Sequence, residues 1–565
     1  MPTYKDDVMM ATRLWEECTN RLPTKWQTIL WEGEMGGAGE GGRWHLTPSL
    51  EEQMKNSFRN TEGAVGSIGS NKEVHLLKKL IKGLCVSTLD KNGGQLHCCC
   101  PALYQQIMEK TFDVGSLEHY EEVKQKVFSE DYAKMHDKDL YKMYKGDPEE
   151  EELGGEEDII AYWKWLYFKN RWNKITPFDE GGRIGQSYAL CKFKYWEKLH
   201  ATKWKSGRPI SPQWQHPMAG LLRAAGRAWM FIIKQWDTDH FILNSALGLK
   251  DRVEQIQEEM RAVNGGAELD LIHKVWDIDS MYPSMPKEDM VCALRTILKE
   301  VKDAQRLRVS HITVPTSKSL PVRWGKHYRE EGYQKAITLP LDELVKIAKF
   351  SLEHCLTKIG GGTIVRQVHG IPMGDSLSPA LAIGTCAWFE RKWLNKLPEG
   401  ERWRVQGVRY LDDVMMIVND AGWGKGKETL ANFEKRGSCY PKQLSLSGDD
   451  EKHYLECIIH NEKESITVQH WNKNEGSDEK QRFYKGAHAN SFSDERFKTG
   501  AMIGTFTRIA RNSSTGELLR ASLKEKIREL KFLGYKEVQI MKVLRHMKKK
   551  FPQGEWGILE SGGEG

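Results

Sequence analysis

Arg409-Tyr410-Leu411-Asp412-Asp413-Val414-Met415-Met416-Ile417-Val418 sets two adjacent carboxylates between apolar runs. The β-branched and aromatic residues on either side predict two short strands, with the Asp pair at the tight connection between them. Like charges at this range raise each other's pKa, and burying both is costly unless a cation neutralises them. Hard oxygen ligands favour Mg²⁺, which a protein site commonly holds through one or two carboxylates and the phosphates of a substrate. Asp-Asp pairs also occur in plain surface turns, so this one gains meaning only from the rest of the chain.

Outward from the pair, Leu271 to Met285 reads LIHKVWDIDSMYPSM, an apolar strand that delivers Asp277 at its end, with Tyr282 five positions on and a turn at Pro283. His369 to Ala382 (HGIPMGDSLSPALA) is a Gly- and Ser-rich loop entering a helix predicted from Pro379 to Trp393. Backbone N–H groups there, from Gly370 onward, can approach a nucleotide without side-chain obstruction. Earlier still, strand-like Tyr188 to Lys194 is followed by Gly207-Arg208-Pro209-Ile210-Ser211. Such a hairpin presents Lys192, Lys194 and Arg208 together, a planar fork and two point charges suited to a triphosphate. Transfer of a nucleotide from its triphosphate to a 3′ hydroxyl needs two metal ions about 3.5–4 Å apart, held by carboxylates from different strands. We assign the bridging positions to Asp277 and Asp412, with Asp413 as the adjacent, less committed partner, and expect two Mg²⁺ ions with Mn²⁺ as a substitute.

With 565 residues the chain has room for three or four domains, and 39% hydrophobic with 29% charged residues is a globular composition that excludes wholesale disorder. The net charge of +6 is unevenly placed: Gln481 to Lys550 carries 17 Lys and Arg against 6 Asp and Glu, which leaves −5 for everything else. A basic C-terminal section on a mildly acidic body fits a polyanion-binding segment, or a solvated helical surface. Eleven cysteines without paired CxxC spacing, among them Cys98-Cys99-Cys100 in an apolar stretch, point to a reducing compartment and no structural zinc. With no apolar signal core and no run of about 18 apolar residues, we expect a soluble intracellular protein with no membrane partner, nuclear if it serves a eukaryotic retroelement.

Residues 5 to 31 have helical spacing and break into the glycines of 33 to 42. GAGEGG within them matches GxGxxG formally, but neither a strand before nor an apolar helix after supports a dinucleotide site, and a linker is the better reading. From Lys72 a helical pattern leads into a predicted hairpin, Val86 to Cys100, turning at Asp90-Lys91-Asn92-Gly93-Gly94, where Lys91 can reach a phosphate or stand exposed. Residues 105 to 145 read as helical, Asp147 to Asp158 as an acidic solvated excursion, and 305 to 335 as a polar insertion ahead of a helix from Leu339 to Leu356. Near the C-terminus, Leu519, Leu523, Ile527 and Leu530 form one apolar stripe, and Val538, Met541 and Leu544 a second after Gly534-Tyr535.

The order DIDSMYPSMP, HGIPMGDSLSPALA, RYLDDVMMIV resembles motifs A, B and C of reverse transcriptases. LDKNGG near residue 90, LCKFK followed by GRPIS, SMYPSMP and the downstream HYLECII look like the Penelope-like, telomerase-related branch. FYKGAHANSFSDERFKTGAMIGTFTRIARNSS, with the helical region after it, resembles that branch's thumb. The likeness spans roughly residues 75 to 550. It implies an α+β right-hand polymerase of fingers, palm and thumb with an N-terminal helical extension. The corresponding segments are an extension and Gly-rich linker (1–72), fingers (73–260), palm (261–462), thumb (463–550) and a flexible tail (551–565). It further implies an RNA-directed DNA polymerase of a retroelement, working on an RNA template, a DNA primer and dNTPs. Metal ligation would fall to Asp277, Ile278, Asp412 and Asp413, triphosphate contact to Lys91, Lys192, Arg208, Gly370 and Lys442, and nucleic-acid contact to Lys498, Arg508 and Arg511. Tyr282 would be a steric gate, its ring crowding a 2′ hydroxyl. His369 stands where a Gln commonly precedes the motif B glycine, and Glu456 or Cys457 where the Asp of an FLD-type motif is expected. No counterpart of the GIY-YIG endonuclease is visible, so priming would use pre-existing 3′ ends or a separate nuclease.

Rival readings remain at this stage. DIDSMYPSM also resembles motif A of B-family DNA polymerases, which carry a separated D-x-D at motif C. An RNA-dependent RNA polymerase would place a ribose-reading acid near position 282, and a telomerase would carry a large RNA-binding domain before residue 75. A non-catalytic nucleic-acid-binding protein, with the two C-terminal helices as a helix-turn-helix, would have little use for three buried carboxylates.

Overall fold

The computed structural model describes residues 84–89, 92–99, 101–112, 120–122, 155–190, 207–236, 240–327, 329–359, 363–448, 452–472, 488–489 and 494–551. The expectations for residues 1–72, Lys91, Lys192, Lys194 and the tail after Phe551 lie outside these. In chain order the first elements are β1 (Cys85–Leu89), β2 (Asn92–Cys99), α1 (Pro101–Phe112), β3 (Tyr120–Glu122), α2 (Glu156–Lys169), β4 (Tyr188–Leu190), β5 (Arg208–Ile210), α3 (Ala219–Lys234) and α4 (Leu249–Val263). Next come β6 (Leu271–Ile278), α5 (Met281–Ser284), α6 (Lys287–Ala304), β7 (His311–Val314), β8 (Arg323–Trp324), β9 (Ile337–Pro340), α7 (Leu341–Glu353), β10 (Leu356–Ile359), β11 (Thr363–Gln367) and α8 (Ser378–Leu394). The remainder is α9 (Glu399–Arg402), β12 (Val405–Tyr410), β13 (Asp413–Asn419), α10 (Gly426–Glu434), β14 (Leu446–Ser447), β15 (His453–Tyr454), β16 (Cys457–Asn461), β17 (Ile466–His470), α11 (Glu495–Arg511), α12 (Gly516–Phe532) and α13 (Glu537–Lys550). Helices and antiparallel sheets mix along the chain, an α+β arrangement.

At its centre is an antiparallel sheet in the order β12-β13-β6-β14. Val414 to Val418 are all buried, because both faces of the sheet are covered. On one face Trp276, Ile278, Val414, Met416 and Val418 join Trp229, Ile233, Ile297 and Leu381 of α3, α6 and α8. On the other, Val275, Val408, Met415 and Ile417 join Val253 and Ile256 of α4 and Ile459 and Val468 of β16 and β17. Two covered faces explain why β13 reads as an uninterrupted apolar run rather than an alternation. Each such Met, Ile or Val side chain contributes about 1.5–3 kcal/mol on burial, so the hairpin carrying the Asp pair rests on a well-anchored base.

Three sequence expectations need correction. Of the segment read as helical over 105–145, the described part is helical to Phe112, but Tyr120–Glu122 is a strand paired with β11, with Tyr120 buried edge-on against Phe112, and 113–119 and 123–145 lie outside the described residues; a three-residue strand fixed by its partners leaves no periodicity of its own. The polar insertion holds the sheet β8-β7-β9, whose Ile312 and Val314 are buried. Of the acidic run, Glu156 to Asp158 form the first turn of α2, where carboxylates meet the positive end of the helix dipole. There Asp158 accepts the Gly155 N–H at 3.2 Å and Glu156 the Ile184 N–H at 2.7 Å.

Helices α11 to α13 own a separate core of Met502, Phe506, Leu519, Leu523, Leu530, Ile540, Val543, Leu544 and Met547. The α12 stripe lies as expected. On α13 the buried face runs through Ile540, Val543, Leu544 and Met547, whereas Val538, on the first turn, is 80% exposed.

Where α2 meets the loop before α3, the fully buried His216 stacks on Trp163 at 4.3 Å and accepts the Met218 N–H on Nδ1. Burial pushes its pKa down to about 3, helped by His354, itself pushed down to about 4. Both rings fold neutral, so below about pH 6.5 the unfolded chain binds more protons and stability falls toward pH 3. Urea midpoints should therefore drop between pH 7 and 4, with a shallower decline in His216→Asn; a midpoint flat across that range would contradict the assignment.

Candidate active site

Asp277, at the end of β6, is the cross-strand partner of Asp413 on one side and of Ser447 on the other. Tyr410 pairs with Asp413, so Leu411 and Asp412 alone form the hairpin turn. The turn is locked to β6 by Ile278 N–H donating to the Asp412 carbonyl at 2.8 Å. Leu411 takes φ +57°, a left-handed conformation costing a non-glycine residue about 1–2 kcal/mol. Asp277 and Asp412 are exposed and Asp413 half-buried, which corrects the expectation of three buried carboxylates: the turn and the strand end place them at the rim of the sheet rather than in its core.

Directly opposed residues of an antiparallel pair share a face, which sets Asp413, rather than Asp412, beside Asp277. Asp413 faces the buried Tyr454, whose phenol is pushed upward by burial first and by the Asp413 charge second, and whose hydroxyl donates to the Val408 and Asp413 carbonyls at 2.9 and 3.2 Å. Asp412 faces Tyr282, whose pKa rises to about 12 through burial first and Asp412 second. The carboxylates thus ring the strand ends. Among the described residues no three His, Cys, Asp or Glu side chains close on one point as a metal cage would. The arrangement fits Mg²⁺ as it binds beside phosphates, where water and substrate oxygens complete an octahedron begun by one or two carboxylates. Exposure of Asp277 and Asp412 leaves room for those ligands.

Tyr282 lies in α5, the short helix after β6, and is half-buried against the main core, with Arg208 and Arg409 opposing the upward push on its phenol. Arg208, on β5, is therefore in electrostatic reach of the ring. Gly370 has φ +70°, and a Cβ there would overlap the Tyr282 carbonyl and the Pro283 backbone. Ile371 N–H donates to the Tyr282 carbonyl at 2.8 Å. A glycine at 370 is thus explained by the backbone of Tyr282 and Pro283 lying against it. The same loop grips the other side: Ser211 N–H donates to the Met373 carbonyl at 2.8 Å, and Gly374, at φ +131°, leaves no space for a Cβ against Ser211. Tyr282 and the strand that carries Arg208 are joined through one loop.

Three features carried no role in the sequence reading. Arg409, 1% exposed, forms an ion pair with the fully buried Glu390 of α8. Asp279 accepts the Ser447 and Ser445 hydroxyls at 2.6 and 3.3 Å, clasping β14 to the end of β6. Tyr454 pins the base of the hairpin. The available signal was a cation in the apolar strand ahead of Asp412, since a buried charge demands a partner.

Lys442 is exposed in the loop between α10 and β14, where its carbonyl accepts from Arg436 at 2.6 Å. Lys498, expected to meet nucleic acid, is turned inward: 4% exposed, it donates to the Ala489 carbonyl and pairs with Glu495. That is a correction, because its ammonium is spent on closing the start of α11. Arg508 pairs with Glu456 at 2.5 Å, tying α11 to the β15–β16 turn, whose Leu455 and Glu456 both have positive φ. Arg511 is exposed.

No protein-family model and no curated protein sequence matches the chain. Among solved structures it is similar to telomerase from Candida albicans in complex with a TWJ fragment of telomeric RNA, at 10% identity over 86% of this chain and 68% of that one, TM-score 0.50. It is similar also to apo telomerase from Candida tropicalis truncated from its C-terminal domain (11% identity, 69% and 65% coverage, TM-score 0.42). A third likeness is to the Sicinivirus 3Dpol RNA-dependent RNA polymerase (11%, 60% and 63%, TM-score 0.33). The first of these gives the chain a reverse-transcriptase-like fold. The chain spans 65% and 68% of the lengths of the two telomerases. No helix among the described residues is long and apolar enough to cross a membrane.

Proposed function

We propose that the chain is an RNA-directed DNA polymerase of the Penelope-like, telomerase-related type, with fingers in 73–260, palm in 261–462 and thumb in 463–550. The observation that carries it is the register that brings Asp277 to the Asp412-Asp413 turn, with Tyr282 held beside them under Gly370. The telomerase relative solved with telomeric RNA supports RNA as the template class. Asp277 and Asp412, with the Ile278 main chain and Asp413 beside them, would hold Mg²⁺, which supplies a lowered pKa at the primer hydroxyl and charge neutralisation on the triphosphate. Arg208 would grip the triphosphate as a planar fork. Tyr282 remains a neutral phenol far above pH 7 and so adds no charge against the phosphates. On α11, exposed Arg511 would contact backbone phosphate, giving a salt-dependent hold on the duplex.

Primer extension on an RNA template with dNTPs tests the reading. Extension is expected, and its absence from the full chain overturns it. The gate has its own prediction: Tyr282→Ala should lower the preference for dNTP over rNTP in kcat/KM by roughly 10–100-fold, the scale of a steric pocket. Unchanged discrimination would mean that the ring does not meet the 2′ position.

A further inference from the structure

The Arg409–Glu390 pair joins the turn that carries Asp412 to α8, the helix that follows the Gly370 loop. Every polar group of Arg409 is engaged. Its Nε and one terminal nitrogen meet Glu390, that same nitrogen also donates to the Ile383 carbonyl at 3.1 Å, and the other donates to the Leu411 carbonyl at 3.1 Å. Its backbone N–H donates to Phe241, and its carbonyl accepts from Leu243 at 2.8 Å. Glu390 is equally satisfied, accepting the Tyr440 hydroxyl at 2.8 Å and the Phe241 N–H at 3.1 Å. The guanidinium is therefore a rigid bracket with one end on α8 and the other on the turn.

Stability alone is a poor reason for such a bracket, since a buried ion pair replaced by apolar residues of similar volume is often no less stable. What the bracket holds is specific. Leu411 is the left-handed residue of the two-residue turn, and Asp412 follows it directly. Without the bond to the Leu411 carbonyl, the turn keeps only the Ile278 bond to the Asp412 carbonyl, and Leu411 can relax toward a backbone that suits leucine, turning the Asp412 side chain with it. The anchoring helix α8 grows out of the Gly370–Leu377 loop that lies on Tyr282, so the same bracket keeps Asp412 in step with the gate.

We propose that Arg409 is a positioning residue: through the Leu411 carbonyl it fixes the direction of Asp412, with Glu390 as its anchor on α8. The catalytic consequence rests on the polymerase reading; the positioning does not. Lysine at 409 keeps the charge for Glu390 but lacks the planar fork needed to reach Glu390 and Leu411 at once. The paired change Arg409→Met with Glu390→Gln removes both charges and leaves neither stranded.

Two measurements on the full chain test the inference. In hydrogen exchange, Arg409→Lys should speed the amides of 410–413 about tenfold, while those of 415–418 and of α8 remain as in wild type. In single-nucleotide extension, Arg409→Lys and the paired variant should lose kcat by about thirtyfold or more, with dNTP KM changed less than threefold. Both should need severalfold more Mg²⁺. Unchanged exchange at 410–413, or faster exchange spread over β13 and α8, overturns the positioning role. A kcat that falls only as far as the folded fraction overturns its catalytic consequence. Wild type inactive with the exchange pattern as expected would instead sink the polymerase reading and leave the bracket standing.

Discussion

Asp412→Ala is expected to reduce primer extension on RNA by roughly a thousandfold or more, the scale of losing a residue that acts on transition-state charge, while the melting temperature stays within a degree or two. The separation of the two effects follows from position. Asp412 is exposed at the tip of a two-residue turn, and only its main chain holds the fold, through the bond from Ile278. Exposed substitutions away from caps and cores usually change stability by less than about 0.5 kcal/mol. Loss of activity without loss of fold therefore assigns the carboxylate to chemistry. The comparison with Asp413→Ala is the sharper half of the experiment. Asp413 is the cross-strand partner of Asp277, yet it faces Tyr454, whereas Asp412 faces Tyr282 and with it Arg208. If the triphosphate lies on the Tyr282 side, Asp412→Ala costs more than Asp413→Ala. The reverse order would transfer the bridging role to Asp277 and Asp413, and undiminished extension by Asp412→Ala would remove the turn from catalysis altogether.

The hairpin around this turn was legible because its signals are local. Val414 to Val418 form an apolar run with a turn at one end, and Asp277 ends another. Helices such as Ser378–Leu394 and Gly516–Phe532 announced themselves by length and period. What escaped depends on partners distant in sequence. Tyr120–Glu122 is a strand only because β11 lies beside it, and β7 to β9 are two to four residues long, too short for alternation to count. Lys498 and Lys442 look alike in the chain, but folding turned one ammonium inward and left the other exposed. The role of Arg409 was hidden for the same reason: its partner Glu390 is 19 positions earlier, on a helix whose orientation the sequence does not state.

Glycines in the motif B loop show a different limit. From the sequence, Gly370 is expected to meet the nucleotide, because backbone N–H groups without side-chain obstruction can approach it closely. The structure fills that space with the backbone of Tyr282 and Pro283. Absence of a side chain is equally necessary in both accounts, so composition could not separate them.

Gly370→Ala separates them by its kinetic signature, and the expected loss is large, about a hundredfold in kcat/KM. Two costs combine. Alanine at φ +70° pays about 1–2 kcal/mol for a left-handed backbone. Its Cβ also overlaps carbonyl and carbon atoms of main chain, which cannot rotate aside as a side-chain tip would. The loop must lift from Tyr282, and because the Met373 carbonyl accepts from Ser211 and the Gly374 carbonyl from Gln213 at the other end, the shift is passed to the strand that carries Arg208. A hundredfold loss is about 2.7 kcal/mol of transition-state stabilisation. On the proposed reading, displacement of the Tyr282 ring should show itself as weaker discrimination against rNTPs, in the direction of Tyr282→Ala. A pure phosphate-contact role would raise the KM of both nucleotides equally and leave discrimination intact. Gly220→Ala is the matching control: that glycine lies in the first turn of α3 with nothing within 4 Å of its absent Cβ, so alanine there should leave stability unchanged or raise it by up to about 0.5 kcal/mol and leave extension unchanged. Should Gly370→Ala retain activity within threefold of wild type, the loop would not be what sets the position of Tyr282, and the gate would have to be held by the core packing of its ring alone.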